Sequence, residues 1–312
     1  MLQSLLKKIR KKQAPRLTIV LGSGYHKNYL ECISVITDWC LLLKQLDPKI
    51  KTSTNYLLDF ERMILHHKGA LSLQQAHIRE RSLLNKAKDV ILKEETTVLS
   101  EAHELYKTQC FNPKYVSDIV SLNFDRIAEK QVVKAFQLNK IKHPSSRISK
   151  SKSGQKHIQV CNEYQTADNI TVRFWYPHGN VARASSLILG ARKYGMHIDT
   201  VEHFRRYSKI KNGSTGKELI NSWYEALTRK PVLILGASLS SMEWDIWSAF
   251  VNRERNYAKA KNEKYRYPIY QMQNKNCVSD SHDSAFIWFD PLFDPNLNFA
   301  KQWDKLESLM SK

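Results

Sequence analysis

Three short groups of residues in this chain have the types and the setting to do chemistry: Gly22-Ser23-Gly24, Ser121-Leu122-Asn123-Phe124-Asp125 and Pro177-His178-Gly179. Each directly follows an apolar run that reads as a buried strand. A histidine titrates near neutral pH and suits proton removal from a sugar hydroxyl or a water. Asn123 and Asp125 alternate past a strand end, so their side chains can point the same way and hold a ribose hydroxyl, a water or a carboxamide. The glycine turn lets a phosphate approach the backbone, and the helix behind it offers free N–H groups and a positive dipole end. At one carboxyl edge of an open sheet these groups make a nucleotide pocket with polar chemistry inside it. That combination points to an enzyme working on a dinucleotide.

Each group also has a purely structural use. Asp125 can cap the following helix while Asn123 makes a turn, and His178 can cap its own turn. Gly-x-Gly lacks the third glycine of a dinucleotide fingerprint, because Lys27 stands there, and by itself it is an ordinary turn. The segment Gly213-Ser214-Thr215-Gly216-Lys217-Glu218 fails as a phosphate loop, since Lys211 occupies the first glycine position and Glu218 replaces the magnesium-holding hydroxyl. His66, His67, His197 and His203 lack comparable settings and read as surface residues. No group has the spacing of a metal site, so no metal is expected.

The elements that must position these groups follow from hydrophobic pattern. Leu17–Leu21 reads as the first strand, 118–122 as the second, 172–176 as the third and Val232–Leu235 as a later one, with 185–189, 267–272 and 285–289 as further candidates. Helical patterns cover 28–46, with Trp39, Leu42, Leu43 and Leu46 on one face, then 127–138, 199–227 (interrupted near 212–216) and 298–312. The Lys- and Glu-rich stretch 51–105 carries an apolar stripe at Leu84, Ala87 and Ile91, and reads as helices inserted between the first two strands. Residues 140–156, rich in Lys, Arg and Ser, read as a surface loop. Strands alternating with helices imply an α/β fold with a doubly wound, mostly parallel sheet. The expected organisation is a basic segment over 1–16, then one domain over 17–312 with a helical insertion at about 51–112.

Composition narrows the class. With 312 residues, 42% of them hydrophobic, the chain can bury a substantial core and is not globally disordered. No apolar run approaches the roughly 20 residues of a membrane span. The start carries Lys7, Lys8, Arg10, Lys11, Lys12 and Arg16 without an acid. It mimics the basic part of a signal peptide, but the apolar run behind it is short and ends at Gly22. A cytoplasmic location with no membrane contact is the expectation. Five scattered cysteines (Cys32, Cys40, Cys110, Cys161 and Cys277) form no Cys-x-x-Cys pair, which argues against a zinc ribbon and a disulfide framework. A net charge of +19 favours polyanions or an acidic protein surface as neighbours, or simply a solvated surface. No sequence-reading nucleic-acid motif accompanies it.

Taken in order, Gly22-Ser23-Gly24, Ser121-Leu122-Asn123-Phe124-Asp125, His178-Gly179 and Gly236-Ala237-Ser238-Leu239 resemble the sirtuin superfamily, whose sequences run through Gly-Ala-Gly, Thr-Gln-Asn-Ile-Asp, His-Gly and Gly-Thr-Ser-Leu. The resemblance spans about residues 17–290 and is nearest to the sirtuin-like domains of bacterial anti-phage systems that degrade NAD. It implies a Rossmann-like sheet and NAD+ as substrate. By the same resemblance Gly22, Ser23 and Gly24 line the diphosphate, and Asn123, within the motif that Ser121 opens, orients the nicotinamide ribose and a water. Asp125 meets the carboxamide, His178 is the base with Gly179 leaving room beside it, and Ser238, in the turn that Gly236 opens, holds a phosphate or the adenosine ribose. Sirtuin deacylases carry a four-cysteine zinc module after His-Gly, whereas this chain has no cysteine between Cys161 and Cys277. Leu122 stands where they have glutamine, and their Pro-Asp-Phe-Arg segment has no match.

The resemblance therefore favours an NAD+ glycohydrolase without a metal over a deacylase. Unrestrained NAD hydrolysis kills its host, so it also implies an abortive-infection effector controlled by a partner, such as an ATPase or other sensor subunit, or by homo-oligomerisation, with nucleic acid met through the basic surface or the partner. The alternatives are a catalytically silent NAD- or ADP-ribose-binding module and a nucleic-acid-binding subunit.

Overall fold

Short aliphatic runs, too short for helices, form the centre of one eight-stranded sheet. The computed structural model describes residues 2–27, 34–53, 55–65, 72–101, 107–142, 161–207, 222–237, 239, 243–260, 267–272, 290–294 and 296–312. β1 (Leu17–Leu21), β2 (Val116–Ser121) and β6 (Val232–Leu235) are buried at every position, as strands covered on both faces must be. β1 pairs in parallel with β2 and β6. β2 pairs in parallel with β5 (Thr171–Trp175), β6 with β7 (Ile269–Gln271), and β7 with β8 (Asp290–Pro291). Ranked by their turn along the chain, these six parallel strands lie in the order 3-2-1-4-5-6. That is the order of a dinucleotide-binding doubly wound sheet, with its switch point between β1 and β6. The α/β, Rossmann-like expectation holds.

Two strands were not foreseen. β3 (Asn139–Lys140) and β4 (Cys161–Gln165) add an antiparallel edge outside β5. The β4 sequence, CNEYQ, has no apolar alternation; its buried positions are Glu163, bonded to Arg173, and Tyr164, bonded to Glu129.

Alternate side chains of β1 enter two separate cores, Leu17, Ile19 and Leu21 on one face and Val20 on the other. The larger core takes α3 (Trp39–Leu46), α4 (Tyr56–Leu65), α5 (Leu73–Glu101), α6 (Ile127–Ala135) and α10 (Phe299–Met310). The smaller takes Val201 of α7 (Ala191–Tyr207) together with α8 (Trp223–Arg229) and α9 (Trp244–Ala260). The insertion between β1 and β2 is helical as expected, and Leu84, Ala87 and Ile91 are its buried stripe. The basic start forms α1 (Leu2–Arg10), which buries Leu2, Leu5, Leu6 and Ile9 in the same large core and leaves its lysines in solvent.

Several boundaries move. Within 28–46 the described helix begins only at Trp39, because the Asp38 side chain accepts N–H groups of Cys40 and Leu41 and caps it there. The helix read over 199–227 begins instead at Ala191. The strand expected over 185–189 is a 3-10 turn, Ala184–Ser186, followed by irregular chain, because Ser186 bonds back to Asn180 and Arg183 rather than to a strand. The strand candidate at 285–289, the loop from 143 onward, the glycine-rich 213–218 segment, Cys32, Cys277, Ser238, His66, His67 and the His203 side chain lie outside the described residues. Among the described residues, no helix is long and apolar enough to cross a membrane.

Candidate functional site

The turns after β1 and β6 meet at the switch point through glycine. Gly24 N–H donates to the Gly236 carbonyl at 2.8 Å. A Cβ on Gly22 would lie 2.5 Å from that same oxygen, and one on Gly236 (φ +64°) would lie 2.2 Å from the Tyr25 nitrogen. These glycines are dictated by chain-to-chain packing. The N–H groups of Gly22, Gly24, Tyr25 and His26 all go to main-chain carbonyls, and the helix they open, α2 (Gly24–Lys27), is one turn long. What this turn can still present to a diphosphate is the half-buried surface of Ser23 and Gly24.

The loop after β2 is pinned from several sides. Ser121 Oγ accepts the Asn123 N–H at 3.3 Å. Asp125 Oδ1 accepts the Ile127 N–H at 3.0 Å, the capping use, and its Oδ2 lies 3.2 Å from Nε2 of the buried His26. Helices between β1 and β2 add two clamps. Trp39 stacks on Tyr56 and sets its edge against Phe124, with ring centroids 4.8 Å apart, and Glu95 accepts the Arg126 N–H at 2.6 Å. Asn123 is left differently. Its side chain is buried, and Nδ2 has no acceptor among the described residues.

His178 follows β5, next to this loop, where the Val181 N–H donates to the Phe124 carbonyl at 2.9 Å. The loops that carry Asn123 and His178 therefore lie side by side. Gly179 (φ +82°) is required for another reason than substrate access. A Cβ there would lie 2.0 Å from the Ser186 carbonyl, so the close approach of the chain itself demands glycine.

A buried network lies behind His178. Asp245, in the first turn of α9, accepts through Oδ2 from Nε2 of His178 and Nε2 of His197, both at 3.0 Å, and through Oδ1 from the Tyr194 hydroxyl at 3.0 Å. His197 is 3% exposed, which corrects the surface reading given to it. The two imidazoles and the carboxylate place ligand-capable atoms within 4.8 Å of one another, a spacing suited to a metal, contrary to the expectation that no such group exists. Here those same atoms are engaged in hydrogen bonds with each other. Burial opposes the positive charge of His178, but the charge and hydrogen bond of Asp245, with Glu243 and the Leu122 carbonyl adding, outweigh it and raise its pKa. Burial likewise opposes the charge of Asp245, yet His178 and His197 hold it far below the usual carboxylate range.

Residues 117–279 match the SIR2-like domain family. The chain belongs to that family. SIR2-like domains are in general NAD-dependent enzymes, and the match covers the Asn123 loop, His178 and the β6 turn while leaving Gly22-Ser23-Gly24 outside it. No curated protein matches the chain. Sequence reasoning missed His26, Tyr194, His197 and Asp245. The available signals were Tyr194 and His197 one helical turn apart, and an acid opening the helix after the Gly236 turn.

Proposed function

We propose that this SIR2-like chain is an NAD+ glycohydrolase that cleaves the nicotinamide–ribose bond to give nicotinamide and ADP-ribose. The supporting observation is the buried Asn123 amide, without an acceptor among the described residues, in a loop that lies beside the one carrying His178. Leaving such a donor unsatisfied costs about 1–3 kcal/mol. A ribose hydroxyl or an attacking water at this point completes it. In the reaction the C1′–N bond breaks and nicotinamide leaves neutral with the bonding pair. Water then adds to the oxocarbenium-like C1′ and passes its proton to Nδ1 of His178, since Nε2 is held by Asp245. Asp245 holds the imidazole in position, and Asp125, committed to Ile127 and facing His26, fixes the loop. Ser23 and Gly24 face the diphosphate.

Uncontrolled NAD+ loss is lethal to a host, so this reading includes control by a partner or by self-assembly, as in an anti-phage effector. The test is chromatography of products from NAD+ over a series of protein concentrations. Wild type should release nicotinamide and ADP-ribose, while Asn123→Ala and His178→Ala should each lose about 100- to 10,000-fold in rate and keep the wild-type circular dichroism spectrum. Full activity in both variants refutes the assignment, and NAD+ left intact at every concentration refutes control by self-assembly alone.

A further inference from the structure

The opposite, amino-terminal edge of the parallel sheet carries a groove of about 950 Å³ whose lining includes Arg10, Lys12, Arg16, Lys114 and Arg173. No acidic side chain is among the described residues lining it. Arg16, just before β1, spans the starts of β2 and β5, donating to the carbonyls of Pro113 (2.8 Å), Val116 (3.2 Å) and Thr171 (2.9 Å). Its guanidinium is thus a fixed positive floor. Burial and the neighbouring Arg173 charge both disfavour the Arg16 cation, and Asp118 behind it only partly offsets them, so its pKa is lowered. Arg173 is held by Glu163 at 2.8 Å.

Lys12 and Lys114 are exposed at the rim. Lys12 adopts φ +57°, ending α1 in the left-handed conformation where glycine is the unstrained choice. Lys7, Lys8 and Lys11 continue the positive surface along α1. A dense, regular polyanion matches this arrangement better than a protein surface does, since a protein partner needs an apolar centre.

We propose that this groove binds the phosphodiester backbone of nucleic acid without reading sequence. The five-residue β1 separates it from the switch-point turns by about 16 Å, so backbone binding and chemistry on NAD+ do not compete for space.

The full chain is titrated against a labelled DNA duplex of about 20 base pairs between about 50 and 200 mM salt, followed by anisotropy. Wild type should bind with affinity falling steeply with salt. Lys12→Glu with Lys114→Glu should weaken binding at least ~10-fold and reduce the log–log salt slope by about 2, with the thermal midpoint and any NAD+ turnover unchanged. A charge-matched control, Lys44→Glu with Lys93→Glu on α3 and α5, should retain the wild-type slope. Absence of binding, equal losses in rim and control variants, or displacement of the duplex by polyglutamate at matched charge would each overturn the proposal. His178→Ala should bind DNA as wild type does, so failure of the glycohydrolase reading leaves this result readable on its own.

Discussion

Asp245 determines how His178 can act. Because the carboxylate stabilises the imidazolium, His178 keeps its proton to a higher pH than free histidine, and it becomes a base only above that value. The acid limb of NAD+ cleavage should therefore lie above the ordinary imidazole range. Asp245→Asn should move it toward acid and lower the plateau rate, both read from kcat/KM against pH. The same pair sets a stability window. His178 adds stability that is complete below its unfolded value of about pH 6.5 and is lost as pH rises through its raised folded value. Asp245, with its depressed value, adds stability that is complete above about pH 4 and lost on strong acidification. Thermal midpoints should be highest between those limits and flatter with pH in Asp245→Asn; identical profiles would exclude the pair's role. Glu243, His197, Tyr194 and Tyr56 bear on the same charge. The places of Asn123 and His178 just past β2 and β5 were legible because each follows an apolar run with a polar step. Asp245 was not, since its meeting with His178 and His197 is made by α7 and α9 packing, which local sequence does not encode.

At the level of elements, glycines shape the site more than they touch a ligand. Gly179→Ala puts a Cβ 2.0 Å from the Ser186 carbonyl at φ +82°. It should destabilise by more than the ~1–2 kcal/mol of a left-handed residue alone, measured by denaturant unfolding. Gly195, inside α7 with open space around its Cβ position, gives the opposite sign: Gly195→Ala should stabilise by roughly 0.5–1 kcal/mol. Equal effects of the two would contradict the packing account. Strands β1 and β6 could be read from sequence because strands buried on both faces are near-continuous apolar runs, while β2 and β5 showed through the shorter runs Ile119-Val120 and Phe174-Trp175 before their loops. β4 could not, because its buried Glu163 and Tyr164 are paid for by partners on other elements. The insertion was visible as helix, but the clamp on the Asn123 loop through Trp39 and Glu95 is a tertiary fact.

Across the whole molecule, polar chemistry gathers at the carboxyl edge of the sheet and positive charge lines a groove at the amino edge. Five of the chain's basic residues thus share one place, which composition alone did not give. The central claim is that Asn123 and His178 act as one NAD+-cleaving unit. Its most direct measurement is nicotinamide release by wild type, Asn123→Ala, His178→Ala and the double variant under one set of conditions. Residues that work as a unit are strongly non-additive, so the double variant should be no slower than the slower single. Losses that multiply, or a single variant at full rate, would contradict the account.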